Sequence, residues 1–237
     1  MDQVLYQKAL DFASLAHHGH LRDSGEPFVN HPINVAKTVE SWGLDACTIA
    51  AALLHDTVED ESIKESDLQS KFGTEITELV MGETKISNLP KNATKKDELV
   101  YSLRKMIKIM ARDLRVVLIK LADVLDNMRT IQFLSSDRQL RFSREVLDIY
   151  APLADQMGMG ALRSELEDLA FQYGYPAEFY SLLEEVKDRY QVMITQVAEF
   201  ESNLTKVLES RIPNFLIDIK KKGIYSLYRK LQRPEIN

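Results

Sequence analysis

One cysteine, one tryptophan and no long apolar run set the outer limits of this 237-residue chain. Cys47 has no second thiol to pair with, so the fold cannot rest on an internal disulfide. No apolar stretch approaches the roughly 18 residues that would suggest a bilayer-crossing helix, and no basic-then-apolar leader is present. These absences predict a cytoplasmic protein with no membrane partner. Basic charge is also in short supply. A formal net charge of −6 excludes the broad positive surface that nonspecific nucleic-acid binding requires. An anionic small molecule would need a local basic pocket instead.

What the chain does have is 45% hydrophobic residues, enough for a substantial core. They recur every three or four positions, with no sustained period-two alternation before about residue 212. The fold class is therefore all-α. The spacing predicts helices over residues 2–18, 32–42, 45–56, 65–72, 74–81, 96–112, 114–129, 137–157, 160–173 and 177–210. Gly25 and Pro27 mark 21–30 as a loop, and Pro90 breaks the chain within 88–92. Past Pro213 the character changes. Residues 214–219 could form a strand, giving the tail some α/β character, and a basic run precedes Tyr225.

The most chemically loaded position is the pair His55-Asp56, which closes the apolar run 48–54 and is followed by Glu59-Asp60. If this were only a helix end entering solvent, it would crowd acids where the helix dipole disfavours them. A bound divalent cation would offset both that repulsion and the cost of desolvating four ionisable groups. His31, just before Pro32, is a plausible second nitrogen ligand, although a lone His there is more often a loop or capping residue. Projected at 100° per residue, 118–130 places Leu118, Leu121, Ala122, Leu125 and Met128 on one stripe. Lys120, Asp123, Asn127 and Thr130 fall on the opposite one. Such a polar stripe is ordinarily a solvated face. Here it could instead line a pocket wall.

The order His31, His55-Asp56, Asp123 resembles the signature of the HD phosphohydrolase superfamily. More specifically, several stretches resemble the hydrolase domain of RelA/SpoT homologues: 22–32 (RDSGEPFVNHP), 51–60 (AALLHDTVED), Phe72-Gly73, 82–85 (GETK), 120–130 (KLADVLDNMRT) and 145–167 with 150–154 (YAPLA). The likeness runs unbroken in order over about 5–185. The stretch 225–230 (YSLYRK) is similar to the start of the synthetase domain that follows in long members. The expected organisation is an HD-type helical bundle over 1–195, then a connecting helix and an incomplete synthetase-like start over 196–237. Synthesis by this chain is not expected.

The resemblance implies a (p)ppGpp 3′-pyrophosphohydrolase with Mn²⁺ held by His31, His55, Asp56 and Asp123. It implies that Glu59 and Asp60 position or deprotonate the attacking water. Arg22 would stack on guanine, Ser24 would hydrogen-bond the nucleotide, Asn127 and Thr130 would contact ribose or base, and Lys120 would add positive charge. Four positions depart from the family's usual residues. Asp23 replaces a basic residue, His20 a glutamine, Glu83 a valine and Asp126 a histidine. Asp126 is expected to point to solvent, and His17, His18 and His20 to diverge at a helix end. Two other readings compete: an HD hydrolase of a different phosphorylated nucleotide, and a regulatory HD module with weak catalysis. Oligomeric state is not legible.

Overall fold

The computed structural model describes residues 2–58, 63–87, 108–109, 111–209, 211–212, 214–217 and 222–232. Among them the chain is all-α, as expected. The first four helices are α1 Gln3–Ala16, α2 Asn30–Ser41, α3 Ala46–Leu54 and α4 Glu65–Ser87. After Leu114–Arg129 (α5) come Ser136–Glu145 (α6), Ala151–Gln156 (α7), Gly160–Gly174 (α8), Pro176–Glu209 (α9) and Ile224–Leu231 (α10). No described helix is long and apolar enough to cross a membrane.

The helix α3 sits at the centre, packed against α1, α2 and α4. Its sequence is apolar nearly all round, and every residue from Thr48 to Leu54 is buried, as a helix without a polar face requires. Asp45 caps its first turn by accepting from the Thr48 amide at 2.9 Å. The same device opens α5, where Asp113 accepts from the Arg115 amide at 2.9 Å. Gly82 of α4 permits a close crossing with α5, because a Cβ there would lie 2.9 Å from a Val116 methyl.

The two helices expected over 65–72 and 74–81 are separated by Gly73, whose φ of +81° no helix accommodates, but the second runs on to Ser87. The single helix expected over 137–157 is three pieces: α6, a π turn over Val146–Tyr150, and α7. Pro152 cannot donate to the carbonyl four residues back, and the ladder loosens just before it. The helix expected over 96–112 lies almost wholly outside the described residues. The strand expected over 214–219 is absent from its described part, 214–217. Asn214 takes a positive φ of 65°, Leu216 is exposed, and no strand among the described residues is there to pair with it.

A smaller cluster of Phe171, Phe179 and Leu182 receives Ile224, Tyr225, Leu227 and Tyr228 of α10. The end of α8 and the start of α9 are thereby covered by an amphipathic helix. Asp168 of α8 accepts from the Tyr225 amide at 2.9 Å and so caps α10 from another helix.

Candidate metal centre and nucleotide-facing cluster

Three helix segments converge on one point. The first turn of α2 carries His31, the C-terminus of α3 delivers His55 and Asp56, and the middle of α5 supplies Asp123. One ligating atom from each of His31, His55 and Asp123 lies within 4.8 Å of the others. His31 Nε2 is 3.1 Å from Asp123 Oδ1, and His55 Nε2 is 3.9 Å from the same oxygen. Asp56 stands at the edge, with Oδ1 3.2 Å from His55 Nε2 and Oδ2 3.5 Å from His31 Nε2.

The other imidazole nitrogens are already engaged. His31 Nδ1 donates to Asp126 Oδ2 at 2.6 Å, and His55 Nδ1 donates to the Ala52 carbonyl at 2.9 Å. Each bond fixes the proton on Nδ1 and turns the Nε2 lone pair toward the carboxylates, the arrangement by which proteins present histidine to metals. His55 is fully buried, and among the described residues its Nε2 finds no hydrogen-bond partner of good geometry. Burial disfavours its cation, but the carboxylates of Asp56 and Asp123 outweigh that and push the imidazole up to about 10. The pocket thus demands positive charge at Nε2. A proton supplies it in one state, and a divalent cation fits the same need with two imidazoles and hard oxygen donors.

The polar stripe of α5 is not a solvated face. Lys120 Nζ lies 2.7 Å from Asp123 Oδ2 and 3.1 Å from Glu83 of α4, which is itself buried. Asn127 Nδ2 donates to Asp123 Oδ1 at 2.6 Å. Arg22 reaches across from the loop between α1 and α2. Its Nη1 pairs with Asp126 Oδ2 at 2.7 Å, and its Nη2 donates to Asn127 Oδ1 at 2.7 Å and Thr130 Oγ1 at 3.1 Å. These bonds occupy in-plane donors of the guanidinium and leave its flat face as the surface it can offer.

Asp126 is therefore a correction: it was expected in solvent and is buried between His31 and Arg22. The signal was available, because residues three and four apart share a helix face, and 126 lies between 123 and 130 on the stripe already drawn. The histidines at the end of α1 differ in their surroundings. His18 and His20 are exposed, but His17 is buried with its ring 4.6 Å from Phe28. Ser24 is not brought into the cluster by any observed bond; its Oγ accepts from the Glu26 amide within its own turn. Asp23 is exposed and pairs with Arg138 at 3.1 Å. Glu59 and Asp60 lie outside the described residues. Around the centre, Arg22 and Lys120 are outnumbered by Asp56, Glu83, Asp123 and Asp126. A ligand rich in phosphate would find little net attraction there without an added cation.

Residues 9–160 match the HD domain family, and the chain belongs to it. Within that family its relatives are of the RelA/SpoT type, as the motifs led us to expect. It is 37% identical over 238 residues to a GTP pyrophosphokinase of Myxococcus xanthus, covering 100% of this chain and 31% of the relative. It is 39% identical over 225 residues to a guanosine-3′,5′-bis(diphosphate) 3′-pyrophosphohydrolase of Vibrio cholerae serotype O1, covering 93% and 31%. A solved structure described as a metazoan ortholog of SpoT that hydrolyzes ppGpp superposes with a TM-score of 0.54 at 26% identity. That match covers 73% of this chain and 98% of the other. The chain spans about a third of the length of the curated relatives it matches.

Proposed function

We propose that this chain hydrolyses ppGpp or pppGpp at the 3′-diphosphate, giving GDP or GTP plus pyrophosphate, with Mn²⁺ held by His31, His55, Asp56 and Asp123. The observation that carries the reading is the pair of imidazoles whose Nδ1 protons are tied down while their Nε2 atoms meet two carboxylates in a buried pocket. Bound there, the cation would act as a Lewis acid on the phosphoryl oxygens and lower the pKa of water. The donor set contains no thiolate, which suits Mn²⁺ at least as well as Zn²⁺.

The remaining steps belong to the chain's own residues. Hydrolysis consumes one water, whose oxygen joins the phosphorus next to the ribose 3′-oxygen. That P–O bond breaks, the 3′-oxygen takes a proton, and pyrophosphate leaves. Glu59 and Asp60 follow Asp56 closely in sequence and would accept the water's proton, a role for which a nearby carboxylate is competent. Arg22, braced in plane by Asp126, Asn127 and Thr130, offers its face to the guanine. Asn127 and Thr130 would meet the ribose or base, and Ser24 the nucleotide from the facing loop. Lys120 keeps Asp123 ionised: burial opposes the charge on its ammonium, but the neighbouring acids Asp123 and Glu83 outweigh that and leave it charged. In the same reading, 1–195 is the hydrolase unit and 196–237 a connecting helix leading into a synthetase-like start.

The test is ppGpp turnover by the purified chain with Mn²⁺ and with chelator, resolving the products. Metal-dependent release of pyrophosphate together with GDP is the expected result. Turnover of another phosphorylated nucleotide in preference to ppGpp would overturn the substrate assignment and leave the metal centre standing.

A further inference from the structure

We infer that Asp126 is a positioning residue that ties the nucleotide-facing arginine to a metal-facing imidazole, an inference that rests on the roles proposed above for Arg22 and His31. A single oxygen makes both contacts. Asp126 Oδ2 lies 2.6 Å from His31 Nδ1 and 2.7 Å from Arg22 Nη1. Both partners are donors, and a carboxylate can only accept, so each contact is a charge-assisted hydrogen bond in a largely dry setting.

Each bond has its own consequence. Accepting from Nδ1–H holds His31 in the tautomer whose Nε2 lone pair faces Asp56 and Asp123, and it raises the basicity of that nitrogen. Without an acceptor at 126, the His31 proton is free to move to Nε2, where it blocks donation to a cation. The second bond anchors Nη1 of Arg22. Asn127 and Thr130 both hold the other amino group, Nη2, so Asp126 is what stops the guanidinium plane from pivoting about that side. Because one oxygen serves both, the geometry of the nucleotide face and the ligand strength of His31 are set together. The helix makes this possible, since α5 places Asp126 one turn from Asp123 and one turn from Thr130.

The experiment compares Asp126→Ala, Asp126→Asn, Arg22→Ala and the double variant Arg22→Ala/Asp126→Ala in the 237-residue chain. Mn²⁺ affinity is measured directly from the electron paramagnetic resonance of free Mn²⁺, and KM and kcat are measured with ppGpp. Asp126→Ala should weaken Mn²⁺ binding about 10–100-fold, the usual cost of losing a ligand's outer partner. It should also raise KM. Asp126→Asn keeps an oxygen of the same shape and should recover much of the Mn²⁺ affinity while KM stays raised, because a neutral amide no longer pairs with the guanidinium. The KM effects of Arg22→Ala and Asp126→Ala should combine less than additively, since both break one contact. Arg22→Ala alone should leave Mn²⁺ affinity within about twofold, as it removes no ligand partner.

Unchanged Mn²⁺ affinity in a folded Asp126→Ala protein, or additive KM effects, would overturn the inference. If Asp126→Ala does not fold, Asp126→Asn decides, and wild-type KM in that variant overturns it. Failure of the unsubstituted chain to bind Mn²⁺ would overturn the metal reading and this inference with it, and is told apart because it requires no variant.

Discussion

Lys120 and Asp123 stand one turn apart on α5, joined by a 2.7 Å ion pair, and the same ammonium reaches Glu83 of α4 at 3.1 Å. The triad links two helices beneath the carboxylate proposed as a metal ligand. Burial opposes the charge on Lys120, but Asp123 and Glu83 outweigh it and hold the pKa well above the ordinary lysine value. Lys120→Met removes that cation from two buried acids, and breaking a buried pair from one side is costly. The expected loss is on the order of 3 kcal/mol, or about 10 °C in Tm for a chain of this size. Lys120→Met/Glu83→Val should recover most of it by removing a buried acid as well. Thermal unfolding of both variants checks this. A single variant as stable as the parent would mean the triad contributes specificity and no stability.

Removing a ligand should differ in degree from removing a residue behind a ligand. His55→Ala deletes a donor that faces the shared point, and Asp123→Ala deletes another. Mn²⁺ affinity should fall by more than the ~10–100-fold that loss of an outer partner costs. Direct metal titration of the folded variants reads this out. Retention of parental affinity in either would remove that residue from the ligand set.

Glu59→Gln separates chemistry from metal retention. The amide is isosteric but cannot take a proton, so Mn²⁺ binding should persist while kcat drops by about 10²–10⁴, the usual contribution of a positioned base. Full turnover would exclude Glu59 from the mechanism and shift the role to Asp60.

Helix positions were legible from periodicity because burial follows the 3.6-residue repeat. The expected 114–129 and 160–173 are Leu114–Arg129 and Gly160–Gly174, and 177–210 is Pro176–Glu209. The local breaks were harder. A π turn before Pro152 depends on how one ladder relaxes, and a strand needs a partner that sequence cannot supply. At the site, the residues brought together were those whose type implied chemistry: His31, His55, Asp56 and Asp123. Asp126 was misjudged because its place is defined by its partners. Asp126 owes its burial to Arg22 and His31, which approach from 104 and 95 positions away in the chain. The helix stripe could place Asp126 on the site face, but which residues meet it there leaves no periodic trace.

The cap at Asp45 offers a control distant in role from the metal centre. Burial works against its charge, but hydrogen bonds from the Thr48 amide and hydroxyl and from Arg115 lower its pKa below the ordinary aspartate value. That contribution is therefore present above the unfolded pKa and fades as pH falls through the folded one. Asp45→Ala should cost about 1 kcal/mol at neutral pH, typical of a lost N-cap. The difference from the parent should shrink on acidification to below pH ~4, near the ordinary aspartate pKa. Mn²⁺ affinity should not move. Chemical denaturation at two pH values tests the first point, and a large loss of metal binding would mean that α3 shifts as a body.

In the proposed site a metal ion and a proton would compete for the same nitrogen, which would give stability a distinctive pH signature. In the metal-free chain His55 is raised to about 10 by Asp56 and Asp123, which outweigh burial. A raised imidazole contributes stability that is complete below the unfolded value near 6.5 and is lost as pH climbs toward about 10. Metal-free protein should accordingly lose stability between pH 6.5 and 9, whereas Mn²⁺-loaded protein, with the cation in place of the proton, should not lose this contribution. Metal binding there would release that proton, so affinity should rise with pH by up to about tenfold per unit for each proton displaced. Unfolding midpoints with chelator and with saturating Mn²⁺, taken across that range, should diverge, because every ionisation common to both states cancels in the difference. A gap that stays constant from pH 6.5 to 9 would show that no proton leaves when the metal enters, and would place Mn²⁺ away from His55.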